Sequence, residues 1–142
     1  MANAKYDQVS GLVASGSLNW RTDEVYALLC RNVVFDAAHT NLADAITGGA
    51  TQISSARIEG RYVGTGGEAM GLPVTFPKVA KDTVYQALVV CDLGDTNPQL
   101  ISFYDEDELG ADLTIANNGT FILRPTLVVG AEPPTIGMWL HL

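Results

Sequence analysis

The sequence predicts an all-β fold: a single antiparallel β-sandwich or barrel, jelly-roll-like, with a short helix or arm at its N-terminus. Three observations predict it. The first is the stretch Val84 to Tyr104, VYQALVVCDLGDTNPQLISFY. Its apolar run from Ala87 to Val90 is short and rich in branched residues, as suits a strand buried on both faces. Gly94, Asp95, Asn97 and Pro98 then supply a turn, and Leu100, Ile101, Phe103 and Tyr104 a second apolar strand. Val84–Leu93 and Gln99–Tyr104 are therefore expected to pair as an antiparallel hairpin. The second observation is the recurrence of such segments: about seven to nine short strands separated by turn signals, the pattern of sandwiches and barrels. The third is length. A chain of 142 residues suits one domain that buries roughly two-thirds of its unfolded surface without staples.

In chain order, Ala4–Ala14 sets Tyr6, Val9, Leu12 and Val13 at helical spacing, and Gly11 weakens the helix. Residues 1–15 are assigned to this helix or ordered arm. The sandwich domain spans 16–130. Its first long strand is Glu24–Arg31, EVYALLCR. Asn41 is placed as the N-cap of a single helical turn through Ala45, ended by Thr47-Gly48-Gly49. Ala50–Glu59 is a strand whose Ile53 and Ile58 are out of phase, and Arg61–Val63 continues it. Gly64–Gly71, GTGGEAMG, reads as a flexible loop. Leu72–Val79 carries Val74 and Phe76 on one face between Pro73 and Pro77, which confines it to an edge or a bulge. Asp105–Gly110 is an acidic turn. Leu113 and Ile115 alternate with polar neighbours, Asn117-Asn118-Gly119 turns the chain, and Phe121–Arg124 returns as a strand that Leu127–Val129 extends past Pro125. Residues 131–142 form a tail or last strand.

Composition narrows the function. Eight basic residues against sixteen acidic ones give a net charge of −8, the wrong sign for a nucleic-acid partner, whose phosphates are bound by Lys and Arg. No apolar run approaches the length of a membrane span, and MANAKYDQVS lacks the apolar core of a signal peptide. The expectation is a protein made in a cytoplasm, with Cys30 and Cys91 as buried free thiols rather than a disulfide. Charged residues make up only 17% of the chain, against a typical quarter, which suits either a surface hidden in an assembly or a β-rich domain with many small polar residues.

No pattern of catalysis emerges. The glycine-rich loop at Gly64–Gly71 lacks the lysine and the following helix that a phosphate-binding loop needs. Asp105, Glu106, Asp107 and Glu108, with Asp112 nearby, could in principle hold calcium. The run lacks the length and glycine placement of an EF-hand loop, so a solvated charged turn is favoured. His39 and His141 are the only histidines, neither lies in a nucleophile signature, and no cysteine or histidine stands at zinc-ligand spacing. No enzyme and no cofactor is expected. The tail is unusual: Glu132-Pro133-Pro134 is stiff and extended, and Ile136, Met138, Trp139, Leu140 and Leu142 follow it. Either Met138–Leu142 returns as a last strand of its own subunit, as its alternation suggests, or the prolines carry it to a neighbour with Trp139 as anchor.

Two stretches carry a resemblance. Gly16 to Leu29, GSLNWRTDEVYALL, resembles the opening of a family of tailed-bacteriophage virion structural proteins, in which a glycine and a short segment precede Thr-Asp and a strand ending in Ala-Leu. Tyr85 to Asp105 is similar to that family's second landmark, through Ala87-Leu88-Val89-Val90, Asp95-Thr96-Asn97-Pro98 and Leu100-Ile101-Ser102-Phe103-Tyr104-Asp105. Asp112–Leu123 matches its final strands. The resemblance spans about residues 12 to 129, is loose over Val33–Thr65, and does not extend to Glu132–Leu142. It implies a non-enzymatic part of a phage particle, most simply a capsid decoration or cement protein on the outer shell. Its partners would be the major capsid protein and further copies of itself as a homotrimer, without direct nucleic-acid or membrane contact. A head–tail junction, tail or baseplate component is the alternative within the virion, and a β-sandwich module for glycan or a host surface the alternative outside it. Contacts are expected from Tyr6 in the N-terminal segment, from Gly66, Gly67 and Met70, and from Ile136, Met138 and Trp139 in the tail.

Overall fold

The computed structural model describes residues 4–46, 49–81, 83–92, 98–106, 111–115, 117–123, 127–128 and 137–142. In chain order its elements are β1 (Ala4–Lys5), α1 (Gln8–Ala14), β2 (Glu24–Arg31), α2 (Leu42–Ala45) and β3 (Thr51–Arg57). β4 (Tyr62–Val63), β5 (Glu68–Gly71) and β6 (Val74–Val79) follow. β7 (Gln86–Asp92) and β8 (Gln99–Tyr104) are the predicted hairpin, paired antiparallel from Ala87↔Tyr104 to Cys91↔Gln99. The turn expected between them lies outside the described residues. β9 (Gly119–Leu123), β10 (Leu127–Val128) and β11 (Gly137–His141) come last. The fold is all-β and antiparallel, with a short N-terminal helix.

Among the described residues three sheets form, ordered β1-β8-β7-β2-β3, β10-β11-β5-β4 and β6-β9. The first is built on β2 and β7, which pair from Glu24↔Asp92 to Cys30↔Gln86. Ala87 to Cys91 are all buried, the continuous apolar run that a strand covered on both faces requires. One face carries Tyr104, which meets Trp139 of β11 edge-on at 5.9 Å, so the four-stranded sheet packs there. The other face carries Phe103, which packs through Phe35 onto Tyr6. A single cluster of buried side chains runs through all three sheets.

The N-terminal segment is part of this cluster. β1 pairs with β8 through Ala4↔Phe103 and Lys5↔Ser102. Tyr6 and Val9 are fully buried, and the Gln8 side-chain amide donates to the Leu100 carbonyl at 2.8 Å. α2 is the predicted helical turn. The Asn41 side chain accepts from the Asp44 N–H at 3.2 Å, and the Asp44 carboxylate accepts in return from Asn41 N–H, also at 3.2 Å. The N–H groups of Thr40 and Asn41 hold the Asp44 carboxyl below its ordinary range. Leu42 N–H donates to the Pro98 carbonyl at 2.8 Å and Leu100 N–H to the Thr40 carbonyl at 2.9 Å, which ties this turn to the start of β8.

Four expectations are corrected. Leu127–Val128 does not extend β9; it is β10, paired with β11 in a different sheet. Arg61–Val63 does not continue β3; Tyr62–Val63 joins a different sheet, beside β5. Gly64–Gly71 is not wholly loop, because Glu68–Gly71 is strand β5, paired on both sides. Phe121–Leu123 does not fold back on Leu113 and Ile115. Leu113 bridges Tyr85, and β9 pairs instead with β6 through Val74↔Leu123 and Phe76↔Phe121. β6 is irregular where its proline demands it: the register shifts between Phe76 and Val79, and Lys78 adopts φ +59.

Candidate functional site

The structure gathers several of the candidate residues at one end of the four-stranded sheet. β4 and β5 form a hairpin with Tyr62 opposite Met70 and Val63 opposite Ala69. Its connection is closed by hydrogen bonds. Gly64 N–H donates to the Glu68 carbonyl at 2.8 Å and Gly67 N–H to the Gly64 carbonyl at 3.0 Å. The Glu68 carboxylate folds into the turn and accepts from Gly66 N–H at 2.8 Å. A Cβ at Gly64 would lie 2.6 Å from that carboxylate, and Gly67 has φ +86, so the glycines serve a tight turn around a side chain. The Gly66 amide, which a phosphate would use, already serves the protein's own carboxylate.

β11 closes the site. It pairs with β5 from Gly137↔Gly71 and Met138↔Met70 to His141↔Glu68, and the register shifts between Met138 and Leu140. Leu142 N–H then donates to the Gly67 carbonyl at 2.8 Å. The irregularity falls at Trp139, which is only 1% exposed. The Tyr104 hydroxyl donates to the Trp139 carbonyl, and Ser102 Oγ donates to the Tyr104 oxygen at 3.0 Å. Beneath the hairpin, Trp20 Nε1 donates to the Met70 carbonyl at 2.9 Å. Arg61 holds the backbone there, giving Nη1 to the Trp20 carbonyl and Nε to the Ile58 carbonyl.

The interface expectations therefore divide. Gly66, Gly67, Met70 and Met138 come together along β5 and β11, with Gly66 exposed and Gly67 and Met70 half-buried. Trp139 is corrected: it fills the core of its own subunit and offers no side chain to a neighbour. Tyr6 is corrected in the same way, being fully buried under Phe35. Ile136 lies outside the described residues, as does Asp107 of the possible calcium turn. Among the described residues no three His, Cys, Asp or Glu side chains gather as metal ligands. Tyr62 and Val63 were missed. They stand 42% and 46% exposed beside the hairpin turn, and their only signal was an apolar pair before a glycine cluster.

Cys30 and Cys91 are free and buried. Burial pushes both thiols up to about 12, with the Asp23 carboxylate adding to the effect at Cys91. A raised pKa favours the protonated thiol, the less nucleophilic form. Burial also raises the phenols of Tyr6 and Tyr104. All four shifts have one sign: the folded pKa lies above the unfolded one. Their stabilising contribution is complete below pH 9.0, the ordinary thiol value, and drains away as pH rises towards 12. Native protein at neutral pH is expected to leave both thiols unlabelled by a chromogenic disulfide reagent until it unfolds. Its denaturation midpoint is expected to hold at neutral pH and fall steadily above pH 9.0. Rapid labelling of either thiol in folded protein would contradict the burial described.

Comparison with protein-family models, with curated proteins and with solved structures finds no match to this chain. No helix among the described residues is long and apolar enough to cross a membrane.

Proposed function

We propose that the chain is a non-enzymatic structural protein of a tailed-phage virion, a decoration protein bound to the outer face of the head. One observation carries the proposal. Two of the stretches that resemble the phage family are separated by residues 30–84, yet they meet: Glu24–Arg31 pairs strand to strand with Gln86–Asp92, and that strand with Gln99–Tyr104. Two of the three matched stretches thus lie side by side at the centre of one sheet, while the third, Asp112–Leu123, ends in β9 beside β6. The net charge of −8 suits the outside of a head, away from packaged DNA. The action would be mass action: a protein that binds only the assembled lattice of the major capsid protein stabilises that lattice. The hairpin end, with exposed Tyr62, Val63 and Gly66, is the surface offered to it. A homotrimer would match the threefold positions of a shell.

Counting copies in purified particles tests this. Shell decoration expects on the order of hundreds of copies per head, in multiples set by the lattice symmetry. About a dozen or fewer would place the chain at a junction, tail or baseplate, and none would sink the virion reading.

A further inference from the structure

Asn118-Gly119 is the only asparagine–glycine pair in the chain; every other asparagine precedes a residue that carries a side chain. The pair opens β9. Gly119 is the partner of Val79, the last rung of the β6–β9 ladder beyond its register shift. Asn118 is exposed. Gly119 has φ +147, and nothing lies within 4 Å of a Cβ built there, so the approach to its nitrogen is uncrowded. The segment that pairs with Gly119 also reaches Asn118. Two residues past Val79, Lys81 N–H donates to Asn118 Oδ1 at 2.8 Å. An N–H can be met only by the amide oxygen, so this bond also turns Nδ2 away from Lys81.

Three parts of an acyl transfer are thereby gathered on one turn. Asn118 Cγ is the electrophile. The Gly119 nitrogen, next in the chain, is the nucleophile. Lys81 N–H is a fixed donor on the oxygen where negative charge develops. Asn19 and Asn41 also accept backbone N–H groups on Oδ1, but Trp20 and Leu42 follow them, and the Leu42 nitrogen is committed to the Pro98 carbonyl. We infer that Asn118 is a self-modifying residue, closing on Gly119 to a succinimide that opens to aspartate or isoaspartate, with Lys81 N–H stabilising the oxyanion.

The step balances with water alone. Gly119 N gives its proton to hydroxide and bonds to Cγ. The Cγ–Nδ2 bond breaks, and the nitrogen takes a proton from water and leaves as ammonia. A water then adds to either carbonyl of the five-membered ring. Breaking the N–Cγ bond leaves aspartate in an unchanged backbone. Breaking the bond from that nitrogen to the Asn118 backbone carbonyl leaves isoaspartate, with the chain routed through Cγ. Either product adds one negative charge to a chain already at −8. Aspartate still offers an oxygen to Lys81 N–H. Isoaspartate lengthens the backbone by one methylene where β9 begins, against the Val79–Gly119 rung. The inference does not rest on the virion reading. Copies counted in particles test that one, and chemistry in the purified chain tests this one.

The test follows the full chain during incubation at neutral pH, by ammonia release and by peptide mapping with a fragmentation that separates aspartate from isoaspartate. Conversion is expected at Asn118 ahead of every other asparagine, and Asn118→Gln is expected to abolish it. The folded chain is expected to convert about threefold or more faster than the same chain in guanidinium chloride, the net worth of one hydrogen bond to the oxyanion. Lys81→Pro removes the N–H and leaves Asn-Gly intact, so it is expected to lose that advantage when folded and to match the parent when unfolded. Lys81→Ala, which keeps the N–H, is expected to keep the parent rate. Should Lys81→Pro not fold, the ratio of folded to unfolded rates in the parent chain decides. No conversion at Asn118, a folded chain slower than the unfolded one, or a folded Lys81→Pro variant as fast as the parent would each overturn the assignment.

Discussion

Replacing Trp139 with alanine is expected to remove about 3–5 kcal/mol of stability, the usual cost of truncating a buried large aromatic. Against a total of roughly 5–15 kcal/mol for a domain of this kind, that is about a fifth of the total or more. The melting temperature is expected to fall by about 6–20 °C, at roughly 2–4 °C per kcal/mol for a chain of this size. The reason is position. Trp139 sits at the irregular point of β11, packs edge-on against Tyr104, and fills the space above Gly71. Removing residues 137–142 altogether is expected to be worse. β5 and β10 both lose the strand between them, and the Tyr104 hydroxyl, fully enclosed, loses the carbonyl that accepts its proton. Chemical denaturation of the point variant, and solubility of the truncated one, are the measurements. A truncated chain that melts near the native temperature but no longer joins particles would show that the tail is an arm, and the core placement would be wrong.

Gly71→Val is the second large effect, expected to cost about 1–3 kcal/mol or more as overpacking. A Cβ at this position would lie 2.8 Å from Ile58 Cγ2, 3.0 Å from Trp139 Nε1 and 3.1 Å from Trp139 Cδ1. Neither neighbour can yield, since both are buried and Ile58 N–H is tied to the Val25 carbonyl. Gly11→Ala is the matched control. Nothing lies within 4 Å of a Cβ at Gly11, which stands inside α1, so alanine there is expected to stabilise by about 0.5–1 kcal/mol. If the two glycines respond alike in thermal melts, close approach at Gly71 is not what holds that position to glycine.

Legibility followed the range of the interactions. β2, β7 and β8 could be read because each carries its own apolar signal and their hairpin is local. The Asn41 cap could be read because both partners lie within a few residues. β5 could not: Glu-Ala-Met-Gly has almost no strand propensity of its own. Such propensities span only about 1 kcal/mol, whereas burying one large apolar side chain contributes about 1.5–3 kcal/mol, so pairing with the Trp139 strand decides its conformation. β1 was hidden for the same reason, two residues of weak character recruited by β8. The pairing of β9 with β6 rather than with Leu113 and Ile115 is a choice between alternatives that look alike locally. Of the candidate site, the glycine turn was visible, but Glu68 filling it was not.

The pairing of β11 between β5 and β10 also dictates an order of events during synthesis. Gly71 and Gly137 are register partners, and the ribosome adds residues at about 5–20 per second, so β5 waits roughly 3–13 s for the strand that covers it. The large sheet needs nothing beyond Tyr104 and can close first. Until residue 141 emerges, the nascent chain therefore holds one finished sheet and one with an open side. That open side is the natural place for a chaperone, a protease or the equivalent strand of a neighbouring nascent chain to act. The four-residue length of β5 and its closing glycine keep that side short, which makes it a poor template for the wrong partner.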